Sequence, residues 1–268
     1  MQTIDLIILS YAKTPALRAV TETCISSALA SEPAAAIRFN ILVIESQKDA
    51  APYQGEGVST LFPSEPFGYH SYMNIGLGQT SAPFVCLCNN DLYFHPSWAS
   101  AMLAAFAAQP QLQSASPLCS IHHPKISIDI NSGLHFGYGV RREIAGWCLF
   151  FRREMLKTTG PLDENLKFWF ADNDYAKTLE KFQIPHALVT NSVVDHLESE
   201  TLGTLSPVRQ RLMTKRAKFY YDKKWNGLKG LTYARKLAQF YVKLGLFAIS
   251  NALKNKSDNT PDEHKKTS

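Results

Sequence analysis

Short apolar runs recur through the first two thirds of the chain, often with stretches of helical period between them. That alternation marks strands joined by helical crossovers, and it predicts an α/β fold built on a mostly parallel sheet flanked by helices. Residues 4–10 read as a first strand, 14–31 as a helix, 39–45 as a second strand and 58–62 as a third. A helix over 69–79, a strand over 84–88 and a helix over 96–108 follow, the last opened by Pro96, whose missing N–H does no harm in a first helical turn. Residues 112–117 read as another strand. The stretch 120–140 has no clear period and reads as a loop-rich insertion. A strand over 144–151, a short helix over 153–158, a turn at 160–163, a helix over 173–182 and a final β segment over 186–190 with Val193 and Val194 complete this part.

Beyond residue 200 the pattern changes. Tyr233, Leu237, Phe240, Leu244 and Phe247 recur at alternating spacings of four and three, with Ala234, Tyr241 and Ala248 beside them, so residues 228–254 read as one helix. Lys236, Lys243 and Ser250 recur every seven residues on another face, although Leu246 interrupts that strip and Gly245 weakens the helix. Such a helix suits packing on its own domain, contact with an anionic membrane, or pairing with a second copy in a homo-oligomer. The expected organisation is a catalytic domain at 1–205, a basic helical extension at 206–255 and a disordered polar tail at 256–268.

Charge sharpens this division. The 268 residues carry a net +5, but residues 1–200 hold 13 Lys+Arg against 19 Asp+Glu, a net of −6, and residues 201–268 hold 15 against 4, a net of +11. A basic extension on an acidic body points to an anionic surface, and for nucleic acid no reading motif is found. The five cysteines form no CxxC pair and read as buried thiols of a reducing compartment. The apolar stretch 244–249 is far short of the roughly 20 residues that span a bilayer, and the first residues read as a buried strand and not a signal peptide. A cytoplasmic protein, peripheral at most on the membrane, is expected.

Three places carry candidate chemistry. Asn89-Asn90-Asp91 follows the strand at 84–88, and the carboxyl ends of strands line the ligand crevice of an open α/β sheet, so Asp91 is placed to hold a divalent metal against a diphosphate. In Phe168-Trp169-Phe170-Ala171-Asp172-Asn173-Asp174, bulky aromatics meet two carboxylates at a helix start; a helix cap explains the acids equally well, but aromatics that shape an acceptor pocket also raise the basicity of a shielded carboxylate. His196, after the last strand, offers a nitrogen donor, with Asp195 and Glu198 beside it as further candidates.

From Ile4 to Thr201 these motifs, in this order, resemble the family 2 glycosyltransferases of the GT-A fold, in the rhamnosyltransferase-like branch that serves bacterial glycan biosynthesis. Ile7-Ile8-Leu9-Ser10-Tyr11 is similar to their opening strand and nucleotide-contacting turn, Leu42-Val43-Ile44-Glu45-Ser46 to the second strand, and Asn74-Ile75-Gly76 to their Asn-x-Gly. Asn89-Asn90-Asp91 stands where the family has its metal motif, Ala145-Gly146-Trp147-Cys148 and residues 160–164 resemble the acceptor-side segment, and Ala171-Asp172-Asn173-Asp174 matches the block that carries the base. The resemblance implies a metal-dependent, inverting hexosyltransferase for surface polysaccharide. Asp172 is then the base. Ser10, Tyr11, Glu45, Asn74, Asn90 and Asp91 are on the nucleotide-sugar donor, and Trp147, Trp169 and Asp174 on a glycan or lipid-linked acceptor. Asp91 and His196 hold Mn²⁺ or Mg²⁺. Asp91 is the only acid of its triplet and Ala171 replaces the usual Glu, so the metal leans on His196, water and the diphosphate. Arg141 and Arg142 are further candidates for phosphate. Two other readings stay open: an inactive GT-A module that only binds nucleotide or glycan, and a sugar nucleotidyltransferase, against which the glycine-free turn at 10–15 speaks.

Overall fold

A computed structural model describes residues 1–197 and 207–257; Glu198 and the tail from 258 onward lie outside the described residues. The chain divides into two compact units, Met1–Glu200 and Thr201–Ser268.

The first unit is a nine-stranded sheet with helices on both faces. Its strands are β1 (Gln2–Ser10), β2 (Ile37–Glu45), β3 (Val58–Leu61), β4 (Phe84–Cys88), β5 (Leu92–Phe94), β6 (Ser114–Leu118), β7 (Leu134–Phe136), β8 (Cys148–Arg152) and β9 (His186–His196). They run in the order β3-β2-β1-β4-β8-β6-β9-β5, with β7 also on β9. The helices are α1 (Pro15–Ala30), α2 (Tyr69–Gln79), α3 (Trp98–Ala108), the short α4 (Leu156–Thr159) and α5 (Ala171–Lys181). The central strands read as unbroken apolar runs because both their faces are covered. Ile4, Leu6 and Ile8 of β1 join Cys86 and Cys88 of β4 and Phe150 of β8 in a core layer closed by α1 and α3. Ile7 and Leu9 point the other way, with Leu42, Leu87 and Phe151, onto Tyr72 and Met73 of α2 and Tyr175 and Leu179 of α5. Gly76 of α2 sits where any Cβ would lie 2.5 Å from Ile7 Cγ2, so the glycine of Asn-x-Gly sets how closely this helix approaches the sheet.

The parallel order expected from the sequence holds for β3, β2, β1 and β4. Beyond β4 the sheet is mixed, since β8 runs antiparallel to both β4 and β6 and β9 runs parallel only to β6. The strand expected from 144 begins at Cys148, because 144–147 form a turn in which Cys148 N–H donates to Ala145 O. The insertion at 120–140 contains a 3₁₀ turn at His123–Ile126 and β7, a three-residue strand too short to show a period. The helix expected from Pro96 begins at Trp98, after Ser97 in the left-handed region (φ 65°). Residues 186–196 are one strand with an irregularity opposite Pro117/Leu118, and not two pieces.

The second unit holds α6 (Pro207–Trp225) and α7 (Gly230–Ser257). The pattern read a single helix here; α6 is an additional one, and α7 takes in residues 256–257 of the expected tail. The stripe seen in the sequence is the seam between the two: Phe219 of α6 packs edge-on against Phe240 and Tyr233, and the Arg211 guanidinium lies 4.7 Å over the Phe247 ring.

Candidate active site

Because β1, β2 and β4 are parallel, their carboxyl ends meet on one edge of the sheet, and so do Ser10, Glu45 and the Asn89-Asn90-Asp91 turn. The first two are buried in a closed polar network. Ser10 Oγ shares hydrogen bonds with Thr21 Oγ1 (2.9 Å) and Tyr53 Oη (2.8 Å). Glu45 Oε1 accepts from the backbone N–H groups of Ala12 (3.1 Å) and Gln47 (2.7 Å), and Oε2 accepts from Tyr53 Oη (3.2 Å). Asn90 Nδ2 donates to Thr21 Oγ1 at 2.9 Å, so one chain of hydrogen bonds ties three strand ends together. The Arg18 guanidinium caps the Tyr53 ring at 4.5 Å, and burial pushes the Tyr53 hydroxyl above its ordinary pKa. Glu45 is thus turned inward on its own loops, where sequence reasoning aimed it at the base or ribose. Tyr11, half-buried, follows in the turn that this carboxylate holds.

Asn74 is also an internal clamp. Its Oδ1 accepts from Leu162 N–H (3.0 Å), and its Nδ2 donates to Leu162 O and to Glu164 Oε1 (both 2.9 Å). With the hydrogen bond between His70 Nδ1 and Asp163 O (2.9 Å), α2 staples down the segment at 160–167 that leads to Trp169 and Asp172.

On the other side of Asn90 the structure joins residues from opposite ends of the sequence. Leu92 of β5 pairs with His196 of β9, which brings Asp91 Oδ1 to 3.3 Å from His196 Nε2. Trp147, just before β8, stacks on the His196 ring at 5.1 Å and 4°, with the His122 ring edge-on at 5.4 Å. One face of the indole, which the sequence reading placed on the acceptor, is therefore spent on positioning the imidazole. The buried Trp147 Nε1–H has no hydrogen-bond acceptor among the described residues. Asp195 faces away, accepting from His95 Nε2 (2.8 Å) and from Ser120 N–H (2.7 Å). Partial burial alone would raise its pKa, but these hydrogen bonds hold the carboxyl below its ordinary value, and they take it out of the expected ligand set.

A carboxylate oxygen and an imidazole nitrogen about 3 Å apart are spaced as neighbouring donors on one ion with bonds of 2.0–2.2 Å. This pair fits Mn²⁺ and, less well, Mg²⁺, which prefers oxygen. Among the described residues the one group of three or more converging donors is Cys86, Cys88 and Cys148, fully buried in the core. Burial holds Cys86 and Cys88 above the ordinary thiol pKa, as expected of packed thiols.

Asp172 lies in the first turn of α5, half-buried, beside Gly146. A Cβ on Gly146 would come within 2.7 Å of Asp172 Cβ, so the missing side chain is what admits the carboxylate. Tyr69 Oη donates to Gly146 O at 3.3 Å, and burial, then the charges of Cys88 and Asp172, push that hydroxyl above its ordinary pKa. Gly146-Trp147 is therefore the hinge of the site, with Asp172 against the first residue and His196 against the second. Asp174, which the sequence reading placed on the acceptor, is buried behind the helix start, its N–H donated to Phe170 O. Trp169 is half-buried against Phe168. Arg142 pairs with Glu143 at 2.8 Å, and Arg141 O is hydrogen-bonded to His122 Nε2. Tyr53, Thr21 and Tyr69 carry these arrangements although no motif pointed to them; Gly146 lay within the acceptor-side motif Ala145-Gly146-Trp147-Cys148, but its steric role was not signalled.

No protein-family profile matches the sequence, and no curated protein matches it. Solved structures match in fold. GalNAc-T7, solved with UDP, GalNAc and Mn²⁺, superposes with a TM-score of 0.57 at 13% identity over 91% of this chain and 55% of that one, so the chain spans about half of that protein's length. Residues 1–349 of TarS from S. aureus superpose with a TM-score of 0.51 at 13% identity over 85% of this chain and 74% of that one. The mixed sheet, its helices on both faces and these likenesses are those of the GT-A glycosyltransferase fold.

Proposed function

We propose that the chain is an inverting glycosyltransferase that moves a sugar from a nucleotide-sugar donor to a hydroxyl of a glycan or lipid-linked acceptor of surface polysaccharide. The observation that carries this reading is the meeting of Asp91 and His196 at 3.3 Å on the strand edge of a GT-A sheet, with Asp172 on the neighbouring residue of the same hinge. Asp91 and His196 would hold Mn²⁺ or Mg²⁺, which neutralises the charge that gathers on a leaving diphosphate. Asp172 accepts the proton of the acceptor hydroxyl as that oxygen bonds to the anomeric carbon, while the bond from that carbon to the phosphate oxygen breaks and the nucleoside diphosphate departs. Trp147 keeps the imidazole in register. The Ser10–Tyr53–Glu45 network shapes the loop at 11–14, and Tyr11 on that loop is left for the base.

Because GalNAc-T7 was solved with UDP and Mn²⁺, UDP-sugars with Mn²⁺ head the test. Calorimetry with UDP-, GDP-, dTDP- and CMP-sugars, with and without Mn²⁺, is expected to show one base bound in a metal-dependent way. Asp91→Ala should abolish the metal dependence while the fold is retained. Equal affinity of parent and variant with metal present would overturn the assignment of Asp91.

A further inference from the structure

The second unit poses a problem of its own. One apolar face of α7 is consumed by α6, where Phe240 and Leu244 are buried. A second apolar stripe remains. Leu231 is 90% exposed, Val242 65%, Leu246 63% and Ile249 60%. At 3.6 residues per turn these four fall on one face, and at 1.5 Å per residue they extend over about 27 Å. Leu246, which breaks the polar strip in the sequence, is at the edge of this second face, next to Lys243. A helix apolar on two sides is covered on both.

We infer that the exposed stripe of α7 lies in the interface of an anionic lipid membrane, parallel to its plane. The charge around it selects that occupant. Residues 207–257 hold 13 Lys+Arg and a single acid, Asp222. Asp222 is engaged with Lys218 (2.6 Å) and Asn226 (2.9 Å). Arg235 lies within the stripe, Lys236 and Lys243 lie beside it, and all three are exposed. A second copy of the same unit would bring like charge against like charge. Anionic headgroups complement it, while the apolar side chains enter the acyl boundary. Among the described residues no helix is long and apolar enough to cross a membrane, so the contact is along the surface. The inference does not depend on sugar transfer, since lipid binding is read without turnover.

The test uses the full chain in co-sedimentation with phosphatidylcholine vesicles, with and without phosphatidylglycerol. Parent protein is expected on the anionic vesicles and displaced by high salt. The triple variant Val242→Ser, Leu246→Ser, Ile249→Ser should bind about tenfold or more weakly at unchanged helical circular dichroism, because the stripe supports no packing on α6. Lys236→Glu with Lys243→Glu, which leaves the stripe intact, should lower binding to anionic vesicles only. Parent binding that ignores phosphatidylglycerol, or serine variants that bind like the parent, would overturn the inference. So would a parent dimer that the serine variants dissociate while neither form binds vesicles, since the stripe would then belong to a second copy.

Discussion

On the side of β1 and β2, the polar residues of the candidate site satisfy one another. Glu45, Tyr53, Ser10, Thr21 and Asn90 form a continuous hydrogen-bonded chain that ends on the backbone N–H groups of Ala12 and Gln47. On the side of β4, β8 and α5, the groups that face the chemistry are held by shape. His196 is kept by a parallel indole, and Asp172 by the absence of a side chain at Gly146. A closed network rigidifies a loop but leaves little hydrogen-bonding capacity for a ligand. Here Asp172 Oδ1 also accepts from Asn173 N–H (2.8 Å), a single backbone contact that occupies less of the side chain than the two N–H groups and the hydroxyl that engage Glu45. Under the proposed reaction, the contrast gives backbone shaping to the first region and chemistry to the second, and substitutions in each should fail in different ways.

The largest effect is expected at Asp172. Asp172→Asn conserves size and helix-start compatibility, but the amide cannot take the acceptor's proton. Steady-state kinetics should show kcat reduced by roughly 10²–10⁴-fold with donor affinity little changed. Asp174→Asn, behind the helix start, should lose less. Near-parental turnover in Asp172→Asn together with collapse in Asp174→Asn would move the base two residues along.

Gly146→Ala comes next. Its new methyl would lie 2.7 Å from Asp172 Cβ, so the carboxylate or the start of α5 must shift. Displacement of a reacting group by about 1 Å costs on the order of 10²-fold, and the loss should appear in kcat with metal-dependent donor binding retained. Equal loss of donor binding would mean that the hinge supports the Asp91–His196 pair as much as the base.

The legible residues were those whose position relative to a strand end has one geometric meaning. Asp91 follows a five-residue apolar strand and His196 ends another, and antiparallel pairing of β5 with β9 makes them meet. Glu45 obeys the same rule with two geometric meanings, because a carboxylate at a strand end faces either a ligand or the N–H groups of its own turns. Here Ala12 and Gln47 supply those donors. Tyr53 left no trace, being in the irregular segment between β2 and β3 where no period exists. α6 was hidden for a different reason. Its apolar residues are interspersed with lysines and arginines along 19 residues, so no stripe emerges until the second helix is laid against it.

The closed network is where the smallest and most discriminating effect is expected. Tyr53→Phe keeps the ring, and with it the Arg18 contact at 4.5 Å, while removing the hydroxyl that joins Ser10 to Glu45. Glu45 Oε2 and Ser10 Oγ each lose a buried partner, and an unmet buried polar group costs about 1–3 kcal/mol, so the urea midpoint should fall accordingly. Glu45 Oε1 retains both backbone N–H groups, so the loop at 11–14 should keep its course. Donor affinity should then change far less than in Asp91→Ala. The opposite outcome, parental stability with donor affinity sharply reduced, would return Glu45 to the ligand-facing role that its place at the end of β2 first indicated, and with it the distinction between a shaping side and a reacting side of the site would fail.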